Sequence, residues 1–420
     1  MIVYLDNAST TKPSEAAIDA SLDASASLYG NPSSTHTMGQ DAERVIKEAR
    51  CAVAESIGAR PEHLVFTGSG TEADNLALRA VCRDPGRASG SAIFISSVEH
   101  PAVREPATYM SELGVNLTIV STDGYGMVDC TELEDSLEAA LERGDVRRAI
   151  ISVMHVNNEL GTIQPVAEIA RIRSRISEKT GTDILFHTDA VQSYLKLPMD
   201  VRSASGAGGF AGVDLISFSA HKVHGPKGVG ALYASCPEKL VPIVRGGGQE
   251  GGLRAGTENV PGIAGFGAAA VSFKDINEGH GQESEGKRVA LLRDRLLKGI
   301  ENSIPDVRVN SPEKASPEGE AGGCSPYILN VSFIGTRGEV VLRDLEQRGV
   351  FVSTGSACSN IGMGVKKMNT VLAATGLTPE EAEGAIRFSL SGYNTYDEID
   401  YAIEQVTAAV ARFRRIGSLR

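Results

Sequence analysis

The sequence has no tryptophan, and aromatic residues make up 5% of its 420 positions. Its six cysteines, at 51, 82, 130, 236, 324 and 358, form no CxxC pair and are too few for a disulfide scaffold in a chain of this length. That usage fits a reducing compartment. No apolar run approaches the ~18 residues of a membrane span, and the N-terminus, MIVYLDNAST, has no basic segment leading into an apolar stretch. The expected location is cytoplasmic, with no membrane partner. Positive charge is scarce as well: 41 Lys and Arg stand against 53 Asp and Glu, for a formal net charge of -12. Binding a phosphate backbone needs clustered Lys and Arg, so nucleic acid is excluded as the main partner. What remains is the composition of an ordinary globular protein, 41% hydrophobic and 22% charged. Glycine is plentiful, 46 residues, and clusters at 246–248 and 251–252, where a backbone can approach a ligand closely.

From about residue 14 to 270, helical periodicity alternates with short apolar runs, the pattern of an α/β fold built on a mainly parallel sheet. Seven strands are predicted: 63–67, 92–97, 115–120, 149–154, 183–188, 213–219 and 229–233. Helices are expected near 71–83, 101–113, 131–142 and 165–178, and over 37–57, where Met38, Ala42, Val45, Ile46, Ala49, Val53 and Ile57 form one stripe ending at Gly58. A long helical stretch near 258–303 leads into a smaller α+β domain. The expected division is a large domain over 14–271 and a small domain made of 1–13 with 272–420. The tract 310–325 is rich in Pro, Gly, Ser and Glu and reads as a surface loop, as does 203–209.

In open α/β sheets the ligand crevice lies beyond the carboxyl ends of the strands, and the chemically suggestive residues all fall there. The string DLISFSAHKVHGPKG (214–228) runs an apolar strand into Ser219, His221 and Lys222. A lysine amine forms a Schiff base with an aldehyde cofactor, best when a pocket lowers its pKa. A lone loop lysine is more often merely solvated, so the neighbours decide. TGSGTEADN (67–75) offers an anion cradle between a strand and a helix, with Gly68 and Gly70 exposing backbone and Thr71 a hydroxyl. Asp189, in HTDAVQ, ends another strand and could face a pyridine nitrogen, with Gln192 near a phenolic oxygen; a plain helix cap explains Asp189 about as well. His100, in VEHPA, could stack on a ring or simply hydrogen-bond the backbone.

Together these residues resemble the cysteine desulfurases, pyridoxal phosphate (PLP) enzymes of fold type I in the class V aminotransferase superfamily. The resemblance runs through YLDNASTT (4–11), NPSSTH (31–36), TGSGTEADN, EHPAV (99–103), MHVNNELG (154–161), HTDAVQ (187–192), SFSAHKVHGPKG (217–228), GGGQEGGLRAGTENV (246–260), STGSACS (353–359) and IRFSLS (386–391). It implies that Lys222 binds PLP, His100 stacks on the ring, Asp189 pairs with the ring nitrogen, and Gln192 and Asn158 sit near the phenolic oxygen. Gly70, Thr71, Ser219 and His221 would hold the phosphate, with Thr257 reaching the phosphate of a neighbouring subunit in a homodimer. Arg387, with Asn158, would grip the substrate carboxylate, and no metal is implied.

By the same resemblance Cys358, in the GSAC string, takes the sulfur of L-cysteine as a persulfide and L-alanine leaves; an iron-sulfur scaffold or a sulfur carrier for tRNA thiolation would be the acceptor. Read singly, Cys358 would be a small buried residue, as Cys51, Cys82, Cys130, Cys236 and Cys324 are taken to be. The alternative is another enzyme of the superfamily, a selenocysteine lyase or an aminotransferase. The loop after Cys358, NIGMGVKKMN, is longer than the resemblance implies, and Gly251 stands where arginine is common, which leaves partner choice open.

Overall fold

A computed structural model of the chain describes residues 1–82, 90–144, 146–204, 206, 208–278, 284–354 and 369–417. Seven strands, numbered along the chain, form one sheet: β1 (Leu64–Thr67), β2 (Ser91–Ser96), β3 (Asn116–Val120), β4 (Arg148–Ser152), β5 (Asp183–Asp189), β6 (Leu215–Ser219) and β7 (Gly230–Ala234). Their order across the sheet is β1-β7-β6-β5-β4-β2-β3. All pairings are parallel except those of β7, which is antiparallel to both β1 and β6. The strands are near-continuous apolar runs because both faces of the sheet are covered. Alternate side chains feed different cores: Phe94, Ile151, Phe186 and Ile216 point to one, while Ile93, Ile150, Leu185 and Leu215 point to the other.

Helices Gly70–Arg79, Pro101–Glu112, Cys130–Glu142 and Val166–Thr180 connect the strands, each within a few residues of its expected place. Thr37–Glu55 is also helical and buries Ala42, Ile46, Ala49 and Val53, though Met38 of the predicted stripe is exposed. Gly58 lies beyond the cap residue Ser56, in the left-handed region at φ 69°. The stretch 258–303 holds two helices, Val260–Glu278 and Glu285–Ser303, rather than one. A smaller antiparallel sheet of Val307–Val309, Ile328–Phe333 and Ala385–Ser389 follows. It shares a separate core with Val3, Leu5, the helix Glu285–Ser303 and the C-terminal helix Tyr396–Gly417. The N-terminal residues Val3–Tyr4 pair in parallel with Val350–Phe351. Among the described residues no helix is long and apolar enough to cross a membrane.

The tract 310–325 is irregular, as its composition predicts, but it is not a free surface loop: Ser311, Ser316 and Cys324 are buried. The reason lies in the preceding helix. Arg293 is fully buried, and it donates from Nε to the Ile328 carbonyl at 3.1 Å, from Nη2 to Pro312 at 2.9 Å and from Nη1 to Glu313 at 3.3 Å. A buried guanidinium requires such acceptors, and two of the three, Pro312 and Glu313, come from the tract. Replacing it strands three carbonyl groups, so Arg293→Met is expected to lower stability by roughly 3 kcal/mol. A urea titration should show that loss as a lower midpoint at unchanged slope.

Candidate functional site

Because β1, β2, β4, β5 and β6 run in the same direction, their carboxyl ends open on one edge, and a cavity of about 970 Å³ lies there. Lys222 sits in a single helical turn, Ala220–Lys222, directly after β6. Its Nζ donates to the carbonyl of Ala8 at 2.6 Å and of Ser9 at 2.8 Å. Carbonyls satisfy the amine without stabilising its charge as a carboxylate would. Burial, then the nearby Arg387, pushes the amine down to about 8 from its ordinary 10.5, against the opposing pull of Asp189 and Asp6. A far larger share of Lys222 is thus neutral and nucleophilic at pH 7 than of a surface lysine.

The wall beside Lys222 is the turn after β1. Ser69 caps the helix Gly70–Arg79, its Oγ accepting from the Glu72 amide at 3.1 Å. A Cβ on Gly70 would lie 2.6 Å from Val191 Cγ2, so only glycine brings the helix start this close. Gly70, Thr71, Ser219 and His221 line this wall together. His221 is pushed down to about 4, by burial first and then by Lys222, so it is a neutral hydrogen-bonding group near pH 7.

Across the cavity, Asp189 closes β5 and accepts from the Val191 amide at 2.9 Å. Burial raises its carboxyl above the ordinary range, with His100 and Lys222 pulling it back. Three residues along, Gln192 gives its Nε2 to the Ala8 carbonyl at 2.9 Å, and its buried Oε1 has no partner. The Ala8 carbonyl fixes this orientation, because a half-turn of the amide would set Oε1 against it. His100 caps the helix Pro101–Glu112, with Nδ1 accepting from the Ala102 amide at 3.1 Å. The capping and ring-facing readings are therefore compatible, because the cap fixes the ring with Nε2 left over. Enclosure lowers the His100 pKa, so the ring is neutral at pH 7.

Arg387 comes from the smaller sheet and is 4% exposed. It donates to the Asn158 carbonyl at 2.9 Å, to Ser9 Oγ at 2.8 Å and to Asp6 at 3.1 Å, while its buried Nε, like Asn158 Oδ1, has no hydrogen-bond partner. Thr257 is exposed and outside the cavity's lining, and Cys358 falls within 355–368, outside the described residues. Ser353 and Asn369, on either side of that span, do line the cavity.

The cavity also holds groups that sequence reasoning passed over. Asp74 is buried beside it, with Oδ1 3.5 Å from Nε2 of the fully buried His187. That imidazole is pinned between Ser152 Oγ at 2.8 Å and Ser217 Oγ at 2.9 Å. Glu99 takes Ser96 Oγ at 2.5 Å and the Met154 amide at 3.0 Å, and burial pushes it up to about 8. Both stand inside strings already conspicuous, TEADN and VEHPA, and a charged residue next to a candidate ligand group was the available signal.

Comparison with known proteins agrees with this geometry. The Aminotransferase class-V family model matches residues 3–402. The chain belongs to the class-V aminotransferase family. It is 38% identical to "Cysteine desulfurase IscS" of Dictyoglomus turgidum over 99% of this chain and 96% of that one. It is 36% identical to "Cysteine desulfurase" of Trichormus azollae, covering 100% and 95%. Among solved structures it is similar to a NifS-like protein, with a TM-score of 0.82 and 33% identity over 98% of this chain and 100% of that one. It is also similar to SspA in complex with cysteine, with a TM-score of 0.74 and 30% identity over 94% and 100%.

PLP is the cofactor of this family. The cavity fits it: an amine of lowered pKa, a glycine cradle that a Cβ would fill, a buried carboxylate raised by its burial, and the orphaned Gln192 Oε1 and Asn158 Oδ1. Only a neutral amine attacks an aldehyde, so the rate at which the apo-protein captures PLP should rise with pH through a midpoint near 8. Arg387→Met removes the neighbouring cation and should move that midpoint upward. Stopped-flow absorbance against pH measures both.

Proposed function

We propose that this chain is a cysteine desulfurase that uses Lys222 to hold PLP and Cys358 to carry the sulfur. The observation behind this reading is that Lys222 and Arg387, from two different sheets, share one cavity whose wall includes both flanks of the Cys358 span, Ser353 and Asn369. The names of the relatives and the cysteine bound in SspA support L-cysteine as substrate.

When bound, PLP supplies a sink for the electron pair left at the substrate's α-carbon. The guanidinium of Arg387 takes the substrate carboxylate, displacing Asp6 or Ser9 from Nη2. Lys222, released as a free amine, removes the α-proton, a task suited to a base near neutral pKa. The Cys358 thiolate attacks the substrate sulfur, so an S–S bond forms and the substrate C–S bond breaks. The β-carbon takes up a proton and becomes the methyl group of alanine. His100 exchanges protons at Nε2, since Nδ1 is held by the Ala102 amide. Asp189 balances charge at the ring nitrogen.

The same reading makes the protein a homodimer in which Thr257, exposed on its own subunit, contacts the phosphate held by the other. It assigns the persulfide to an iron-sulfur scaffold or a sulfur-carrier protein in the cytoplasm, and the five described cysteines are all free thiols. It also divides the chain into 14–271 and 1–13 with 272–420. One core drawn from Ala24 to Phe273 and another drawn from Val3, Leu5 and residues 289–410 support that division.

Mass spectrometry after adding L-cysteine should find one extra sulfur, on Cys358. Cys358→Ser should keep the PLP absorbance and lose sulfur transfer, and Lys222→Ala should lose the lysine-linked absorbance. Full turnover in either variant would refute its assignment, and 3-mercaptopyruvate instead of alanine would point to an aminotransferase.

A further inference from the structure

The turn after β1 carries a carboxylate in an unexpected place. Glu72 stands in the first turn of the helix Gly70–Arg79, one residue beyond Thr71. Its Oε2 folds back to accept from the Gly68 amide at 2.7 Å. A Cβ on Gly68 would lie 2.8 Å from that oxygen, so glycine here admits the contact. First-turn amides attract anions, and so does the positive end of the helix. Glu72 therefore occupies the electrostatic position that a phosphate on Gly70 and Thr71 needs, and an unbalanced carboxylate there would repel it. The balance comes from a distant segment: Arg254 donates from Nε to Glu72 Oε1 at 3.1 Å. A second strut ties the same segment to the same strand. Glu250, in the left-handed region at φ 48°, takes both Arg50 nitrogens at 2.8 and 2.6 Å and the Phe66 amide at 2.8 Å. Residues 250–254 thus grip the backbone at 66 and 68, immediately before the cradle.

We propose that Glu72 and Arg254 are a positioning pair for the phosphate turn: Glu72 fixes the Gly68 amide, and Arg254 cancels its charge so that the helix start accepts a phosphate dianion. The proposal rests on the reading of 67–71 as the phosphate cradle. Pyridoxal has the aldehyde and ring of PLP but no phosphate, so Lys222, His100 and Asp189 serve both alike, and only the cradle distinguishes them.

Equilibrium binding of each to the full-length apo-protein, followed by absorbance, tests the pair. Arg254→Met is expected to weaken PLP about tenfold and pyridoxal by less than about twofold, the size of one uncompensated charge at a helix start. Arg254→Lys should keep most of the affinity. Adding Glu72→Gln to Arg254→Met should restore PLP binding, because Gln keeps an acceptor for Gly68 and removes the charge. Equal losses for both ligands in Arg254→Met, or a double variant weaker than the single one, would overturn the proposal. Equal affinity of the unmutated protein for PLP and pyridoxal would instead overturn the cradle reading beneath it.

Discussion

The site depends on a strand-like N-terminal segment being threaded between the two sheets. Residues 3–4 pair with 350–351 beside the small sheet, and the next few residues hold nearly every reactive group. The carbonyl of Ala8 accepts from both Lys222 Nζ and Gln192 Nε2. Ser9 offers its carbonyl to Lys222 and its hydroxyl to Arg387, while Asp6 accepts from the same Nη2 of that guanidinium. Thr11 bonds to the backbone at His221 and His224 through its own backbone and hydroxyl. An amine from the large sheet and a guanidinium from the small one are thus spaced by one short peptide. Losing it would separate the two cations from each other's cavity wall and remove the acceptors that let them be buried at all.

Burying cations and anions together without satisfying them has a chemical consequence. Lys222 is depressed and Asp189 elevated, both mainly by burial. Each shift reports a charged form that the cavity's own groups stabilise poorly. A cationic pyridine nitrogen would relieve Asp189, and a carboxylate would relieve Arg387, so the cavity is complementary to a charged, zwitterionic ligand rather than to water. The same burial keeps His100 and His221 neutral, which makes them donors and acceptors instead of additional cations competing with Lys222.

All seven strands of the large sheet were legible in the sequence because a sheet covered on both faces writes itself as short apolar runs with turn residues between them. The site was legible for a related reason: parallel strands place their carboxyl ends together, so residues far apart in sequence, such as Gly70, His100, Asp189 and Lys222, could be assigned to one edge before any contact was known. Pairings between distant segments were not legible. Nothing local to Arg293 announces that it holds the 310–325 tract, and nothing in RAGT announces that Arg254 answers Glu72, because those contacts exist only once the chain has folded. The division of 258–303 into two helices was signalled by NEGHGQESEG (277–286), a run with three glycines and no apolar side chain, which the reading of one long helical stretch passed over. The orientation of Gln192 was missed because it is set by a carbonyl 184 residues away.

The buried pair Asp74 and Asp189 shows how the fold distinguishes two neighbouring carboxylates. Both are enclosed, and each disfavours charge on the other, so the least costly arrangement is one ionised group and one protonated one. Asp189 has the Val191 amide and lies near Lys222, both of which favour its anion. Asp74 is raised well above the ordinary range, by burial first and then by Asp189, and only Ser217 lowers it. The surroundings therefore favour the anion at Asp189, at the end of the strand that faces the cavity, over Asp74, whose carboxyl leads into the hydrogen-bonded series Ser217, His187 and Ser152.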